Sequence, residues 1–121
     1  REVAKMIKGM SIEKARDSLQ EVVALKKAVP FRRYKNEVGH RSDTGVMSGR
    51  YPRKTAEEFI RLLDNLEANA EYKGMDLDRL KIVSANSHKG VLIKRFTPRA
   101  QGRATPKNNV LTHVELVAQE V

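Results

Sequence analysis

From Arg79 to Val114 the chain contains no aspartate or glutamate, yet it carries eight cations there: Arg79, Lys81, Lys89, Lys94, Arg95, Arg99, Arg103 and Lys107. Four of them, Arg95, Arg99, Arg103 and Lys107, recur at a spacing of four through the segment KRFTPRAQGRATPKNN, Lys94 to Asn109. Such a stretch cannot enter a core, because each unpaired buried charge costs several kcal/mol. It has to lie in water or against a polyanion, and everything else in the fold must leave it outside.

The flanking segments set the shape that presents it. Val91-Leu92-Ile93 precedes it and Val110 to Val117 follows, the latter rich in β-branched residues with Thr112, Val114 and Leu116 on one face. Pro98, Gly102 and Pro106 argue against a helix between them. The expectation is a strand over 91–96 paired with a strand over 110–117, making an extended hairpin arm over 91–117. Only Phe96 and the small Ala100 and Ala104 are apolar in its middle. An isolated ribbon of this kind is marginal in water, so a mobile tip awaiting a partner is expected.

Charge sharpens the class of partner. The 121 residues carry a net charge of +9, which implies attraction to nucleic acid or an anionic surface. With 40% hydrophobic residues and only 5% aromatic, one domain spanning 1–121 with an aliphatic core is expected. No apolar run approaches the roughly 20 residues needed to span a bilayer, and no amphipathic basic helix carries large apolar anchors, so no membrane partner is expected. The absence of cysteine removes disulfides, thiolate zinc sites and thiol nucleophiles together, and fits a reducing cytosol. The chain opens at Arg1 inside a helical pattern and without Met, which reads as a fragment lacking its first residues.

Two helices are expected at the start. Val3, Met6 and Ile7 give a stripe over Glu2 to Lys8 that Gly9 ends. Ser11 is an N-cap for a second stripe through Ile12, Ala15, Leu19, Val22 and Val23, closed by Val29-Pro30. Residues 31–51 then break the period as a long loop, with Arg32, Arg33, Lys35, His40, Arg41 and Arg50 against only Glu37 and Asp43. A coreless loop of that length tends to be functional. Phe31, Tyr34 and Tyr51 interleave with its cations, a composition suited to stacking on bases and pairing with phosphates, although Phe31 reads better as an anchor to the helices. Arg53 to Lys73 is the longest helix, with Ala56, Phe59, Ile60, Leu63, Leu66 and Ala70 buried, Gly74 as its cap and much of the acid on its outer face. A turn at Asp76-Leu77-Asp78, a strand over 80–85 and a loop at Ser87 to Gly90 complete the reading.

No catalytic constellation emerges. His40, His88 and His113 share no metal-ligand spacing, and Gly45 to Gly49 lacks the lysine and helix context of a phosphate loop. Asp76 and Asp78 read as capping residues of a solvated turn rather than a carboxylate pair. Neither enzyme activity, cofactor nor metal is expected. The two readings that remain are a structural RNA-binding protein and a free-standing nucleic-acid-binding β-ribbon module.

Several segments carry a resemblance. VPFRRY at Val29 to Tyr34, GRYP at Gly49 to Pro52, NAEYKGMD at Asn69 to Asp76 and KRFTPRAQGRA at Lys94 to Ala104 follow in order the pattern of the universal large-subunit ribosomal protein twenty-two family, in its archaeal and eukaryotic form. The likeness covers essentially the whole chain. The family's initial segment, with its first strand and the start of its first helix, has no counterpart here, and Gln101 stands where many bacterial members carry Lys. The resemblance implies an α+β fold: a three-helix body packed on a small antiparallel sheet with one long protruding β-hairpin. It implies attachment to large-subunit ribosomal RNA in the cytoplasmic ribosome, beside neighbouring ribosomal proteins. In the family the hairpin tip lines the peptide exit tunnel near a narrowing shared with another protein's loop. Carried over to this chain, the tip is Arg99, Ala100, Gln101, Gly102, Arg103 and Ala104, and its partner there is the nascent polypeptide.

Overall fold

The computed structural model describes residues 1–33, 35–41 and 45–121, the side chain of Val46 excepted. Helix α1, Glu2–Ile7, buries Val3, Ala4 and Ile7. Gly9 ends it at φ 87°, the left-handed region that suits glycine. The Gly9 N–H then donates to the Ile82 carbonyl at 2.8 Å, and the Ile82 N–H donates back to Met10 at 2.9 Å, so this connection is stitched to the start of the arm. Helix α2, Ile12–Val23, starts at the expected cap: the Ser11 hydroxyl accepts from the Lys14 N–H at 3.4 Å. It buries Ile12, Ala15, Leu19 and Val22. It stops short of the expected closure, because Leu25 turns into the left-handed region at φ 61° and Val29–Pro30 is extended as strand β1.

Helix α3, Arg53–Tyr72, lies against α2 and buries Ala56, Phe59, Leu63 and Ala70. These join Ile7, Leu19, Val22, Val29, Leu80 and Ile82 in one aliphatic core. Each large side chain fully buried there contributes about 1.5–3 kcal/mol, which offsets the ordering cost of helices too short to stand alone. Between α2 and α3, Arg16 Nη2 donates to Asp64 Oδ1 at 2.7 Å and to Glu67 Oε2 at 2.6 Å. Gly74, at φ 72°, reverses the chain after α3. Asp76 then accepts from the Asp78 N–H and caps a single 3-10 turn, the structural role expected for that pair.

The segment read as one long loop is more ordered than that reading allows. It holds β1 together with β2, His40–Arg41, and β3, Val46–Arg50, in an antiparallel sheet of order β1-β3-β2. Two-residue strands carry no readable alternation; they are fixed by pairing, Val29 opposite Arg50 and His40 opposite Ser48. Phe31 donates its N–H to Ser48 at 2.8 Å, and its ring packs on the core, so it is the anchor expected. Tyr34 and Asp43 lie outside the described residues.

A second correction concerns the arm. Instead of a strand, a loop and another strand, β4 runs unbroken from Leu80 to Ile93 and pairs with β7, Asn109–Glu120. Ser87 to Gly90 suggested a loop, but on a ribbon wetted on both faces polar residues pair as readily as apolar ones. Register shifts between Ile82 and Ser84 and between Lys89 and Leu92 absorb extra residues as bulges. At the far end β5, Phe96–Pro98, pairs with β6, Ala104–Pro106. Among the described residues the architecture is α+β, with three α-helices, antiparallel sheets and one long hairpin.

Candidate nucleic-acid interface

Burial stops abruptly along the hairpin. Ile82 and Ala85 are buried and Leu116 is half-buried, but no residue from 86 to 115 is buried. At about 3.3 Å per residue the unburied ribbon reaches on the order of 40 Å from the core to its tip. The tip is a defined turn. Gln101 and Gly102 have φ 62° and 70°, and the Arg103 N–H reaches Ala100 at 3.4 Å, so two adjacent left-handed residues reverse the chain as a type I′ turn does. Below it the Arg99 N–H donates to Arg103 at 2.7 Å and the Lys107 N–H to Arg95 at 2.6 Å. A Cβ on Gly102 would meet nothing within 4 Å, so its glycine serves the turn rather than a close approach within the chain.

The arm's cations are exposed: Lys94, Arg95, Arg99, Arg103 and Lys107. Among the described residues none of them is paired with a carboxylate. Arg99 instead donates Nε to Thr105 Oγ1 across the ribbon at 3.1 Å, which orients its fork without neutralising it. Ala100, Gln101, Gly102 and Ala104 are exposed beside them.

The second set lies on the small sheet and the segment after β1. Arg32, Arg33, Lys35, His40, Arg41 and Arg50 are all exposed. The Arg32 N–H donates to Glu2 Oε2 at 3.3 Å, which ties this segment to α1. Arg41 is held more closely: Nε donates to the Gly49 carbonyl at 3.2 Å and its guanidinium lies 5.3 Å from the Tyr51 ring centre. Of the second set, His40, Arg41 and Arg50 stand on β2 and β3, whereas the arm's cations stand between and beside the strands of the hairpin, which belong to other sheets.

Two features escaped the sequence reading. Met47 on β3 is 73% exposed, an apolar side chain presented outward on the cationic sheet. His88 and His113 face each other across the arm, with His88 Nε2 3.8 Å from Glu115 Oε2. Their separation of 25 positions hides the pairing until the register is known. Among the described residues no three His, Cys, Asp or Glu side chains converge as a metal site, and no helix is long and apolar enough to cross a membrane.

A small helical body that holds out a long, un-neutralised basic ribbon defines a class: a structural component made to be built into a larger assembly. Comparison with known proteins supplies the family. Residues 1–119 match the model described as "Ribosomal protein L22p/L17e", and the chain belongs to that family. It is 77% identical over its whole length to the large ribosomal subunit protein uL22 of Nitrosopumilus maritimus (strain SCM1), covering 80% of that protein. It is 73% identical over 99% of its length to uL22 of Cenarchaeum symbiosum (strain A) and 52% identical over 99% to uL22 of Thermofilum pendens, covering 79% of each. The chain is thus a structural, non-enzymatic constituent of the large ribosomal subunit, at work in translation on cytoplasmic ribosomes. The free-standing β-ribbon reading gives way to membership in that family.

Proposed function

We propose that the chain binds large-subunit ribosomal RNA through two basic surfaces, and that the tip of its arm lines the peptide exit tunnel. The first surface comprises Arg32, Arg33, Lys35, His40, Arg41 and Arg50; the second comprises Lys94, Arg95, Arg99, Arg103 and Lys107. The observation that carries the reading is the arm itself, which has no acid over 79–114 and no buried residue over 86–115. A ribbon with no core of its own and no counter-charge at its far end is completed by a polyanion.

Lysine and arginine on these surfaces neutralise phosphates and release condensed counterions, so the contacts position the protein rather than read sequence. Arginine adds planar forks that pair with phosphate oxygens and stack on bases. Residues 1–121 act as one domain, with 91–117 as the working arm. Arg99, Ala100, Gln101, Gly102, Arg103 and Ala104 face the nascent polypeptide, and the chain's other partners are neighbouring ribosomal proteins. The tunnel placement rests on the family resemblance together with a tip that is narrow, turned back by Gln101 and Gly102 and flanked by two arginines.

The test is the salt dependence of binding to a full-length large-subunit RNA transcript. Replacing Arg32, Arg33 and Lys35 with Ala should weaken binding. It should also flatten the plot of log affinity against log salt by roughly 0.7–0.9 for each phosphate no longer neutralised. An unchanged slope would remove the 31–50 surface from the interface.

A further inference from the structure

We propose that the groove between the segment after β1 and the β2–β3 ribbon seats a single unstacked base of the ribosomal RNA. This deepens the reading of 31–50 as an RNA contact and rests on it. The groove is about 710 Å³ in volume, within the roughly 300–1,000 Å³ of small-ligand pockets. Its lining combines two chemistries. Pro30, Phe31, Val38 and Met47 are apolar, while Arg32 and Lys35 are cationic and His40 is polar. Among the described residues no carboxylate pairs with Arg32, Lys35 or His40.

A nucleotide is an apolar ring system joined to a fixed negative charge, and this lining meets both halves. Stacked duplex RNA cannot use it, because its ring faces are already covered; an extruded base offers a free face. Phe31 is held in place by its packing on the core and by its N–H bond to Ser48, so one wall is preorganised. Met47, 73% exposed, supplies a soft, polarizable thioether. Among the described residues Glu37 is the one acid on the lining, held with its backbone left-handed at φ 64°. A carboxylate accepts from exocyclic amines, which adenine, cytosine and guanine carry; uracil lacks one and offers only its N3–H, so it suits the seat less well.

The test separates base from phosphate. With the full chain and a large-subunit RNA transcript, Met47→Ala should lower affinity roughly fivefold, the low end of single-base stacking, while leaving the salt slope unchanged. Met47→Phe should restore the affinity, since a ring stacks at least as well as a thioether. With methyl-labelled methionine, AMP should shift the Met47 signal, UMP should shift it less, and ribose 5-phosphate should leave it in place. If Met47→Ala binds like the parent while Arg32→Ala with Lys35→Ala weakens binding, the groove seats no base and the RNA surface stands. If Met47→Ala flattens the salt slope, its effect runs through phosphate contacts and the base seat is overturned. If none of these variants weakens binding, the RNA surface at 31–50 falls along with the groove.

Discussion

Gly90 approaches Leu111 so closely that a Cβ on Gly90 would stand 2.7 Å from the Leu111 carbonyl oxygen, with the His113 ring at 3.1 Å. Gly90 lies in the stretch where the β4–β7 register slips between Lys89 and Leu92, so the close contact and the bulge are one feature. Bulges bend a ribbon and increase its twist. This one sits between the body and the cationic end of the arm.

Gly90→Ala should therefore loosen the arm without unfolding the body. A contact of 2.7 Å to backbone cannot be relieved by rotating a side chain, so the strands must part locally. Amide exchange should speed up over 86–93 and 110–116, by about tenfold if the cost is near 1.4 kcal/mol. The core amides of Leu19 and Leu63 should exchange as before. Equal acceleration at both places would mean that arm and body open together.

The Arg16 bridge makes a different kind of prediction, because it joins two helices of the core. Its guanidinium pKa is raised above its ordinary value, chiefly by the hydrogen bond to Glu67, while burial opposes the shift. A raised folded-state value means that the stabilisation is in full force below the unfolded pKa and fades only as pH rises past it, so across neutral pH the cation does not titrate. Arg16→Met keeps the aliphatic stem and should cost about 1 kcal/mol, discounted for partial exposure, lowering Tm by roughly 4 °C. Glu67→Gln should cost more than Asp64→Asn, because the Glu67 side chain is 34% exposed against 62% for Asp64. The reverse order in thermal melts would contradict this account.

How much of this was legible depends on the range over which each residue's partners act. Ser11, Gly9, Gly74 and the stripe through Ala56, Phe59 and Leu63 act within a turn or two of helix, so spacing alone exposed them. The arm's solvent exposure was legible too, because eight cations without an acid leave no alternative. What local pattern could not supply was pairing between distant segments. Val29–Pro30 is a strand only because Arg50 and Gly49 lie beside it. Ser87 to Lys89 is strand rather than loop because Val114 to Thr112 runs antiparallel to it. The exposed Met47 and the facing His88 and His113 follow from those same registers.

Arg41, proposed as an RNA contact, also has a structural role. Its bond to Gly49 and its position over the Tyr51 ring tie β2 to the entry of α3. Arg41→Lys keeps the charge but loses the planar fork, so it should forfeit about 0.5–1 kcal/mol of local order in the RNA-free protein. The readout is exchange at the Gly49 N–H, which is bonded to Gly39, and it should quicken in the variant. No change there would contradict this structural role.

The division of labour between body and arm gives the last prediction. Deleting Thr97 to Pro106 removes Arg99, Arg103 and the turn but leaves β4, β7 and every buried residue in place. The shortened protein should still enter large subunits, because the helices and the 31–50 surface remain. An arm immobilised on RNA also loses conformational entropy that offsets part of its contact energy. What should change is the behaviour of nascent chains, which would no longer meet two positive charges at the tip. Reconstituted subunits can be examined by sedimentation, and by crosslinking a stalled nascent chain to this protein with and without the deletion. Full incorporation together with loss of the crosslink is the expected pair of results. Failure to incorporate would make the arm an assembly anchor, with its phosphate contacts outweighing the ordering cost. Incorporation with no crosslink even from the intact tip would leave the RNA-binding role standing and take the tunnel role away.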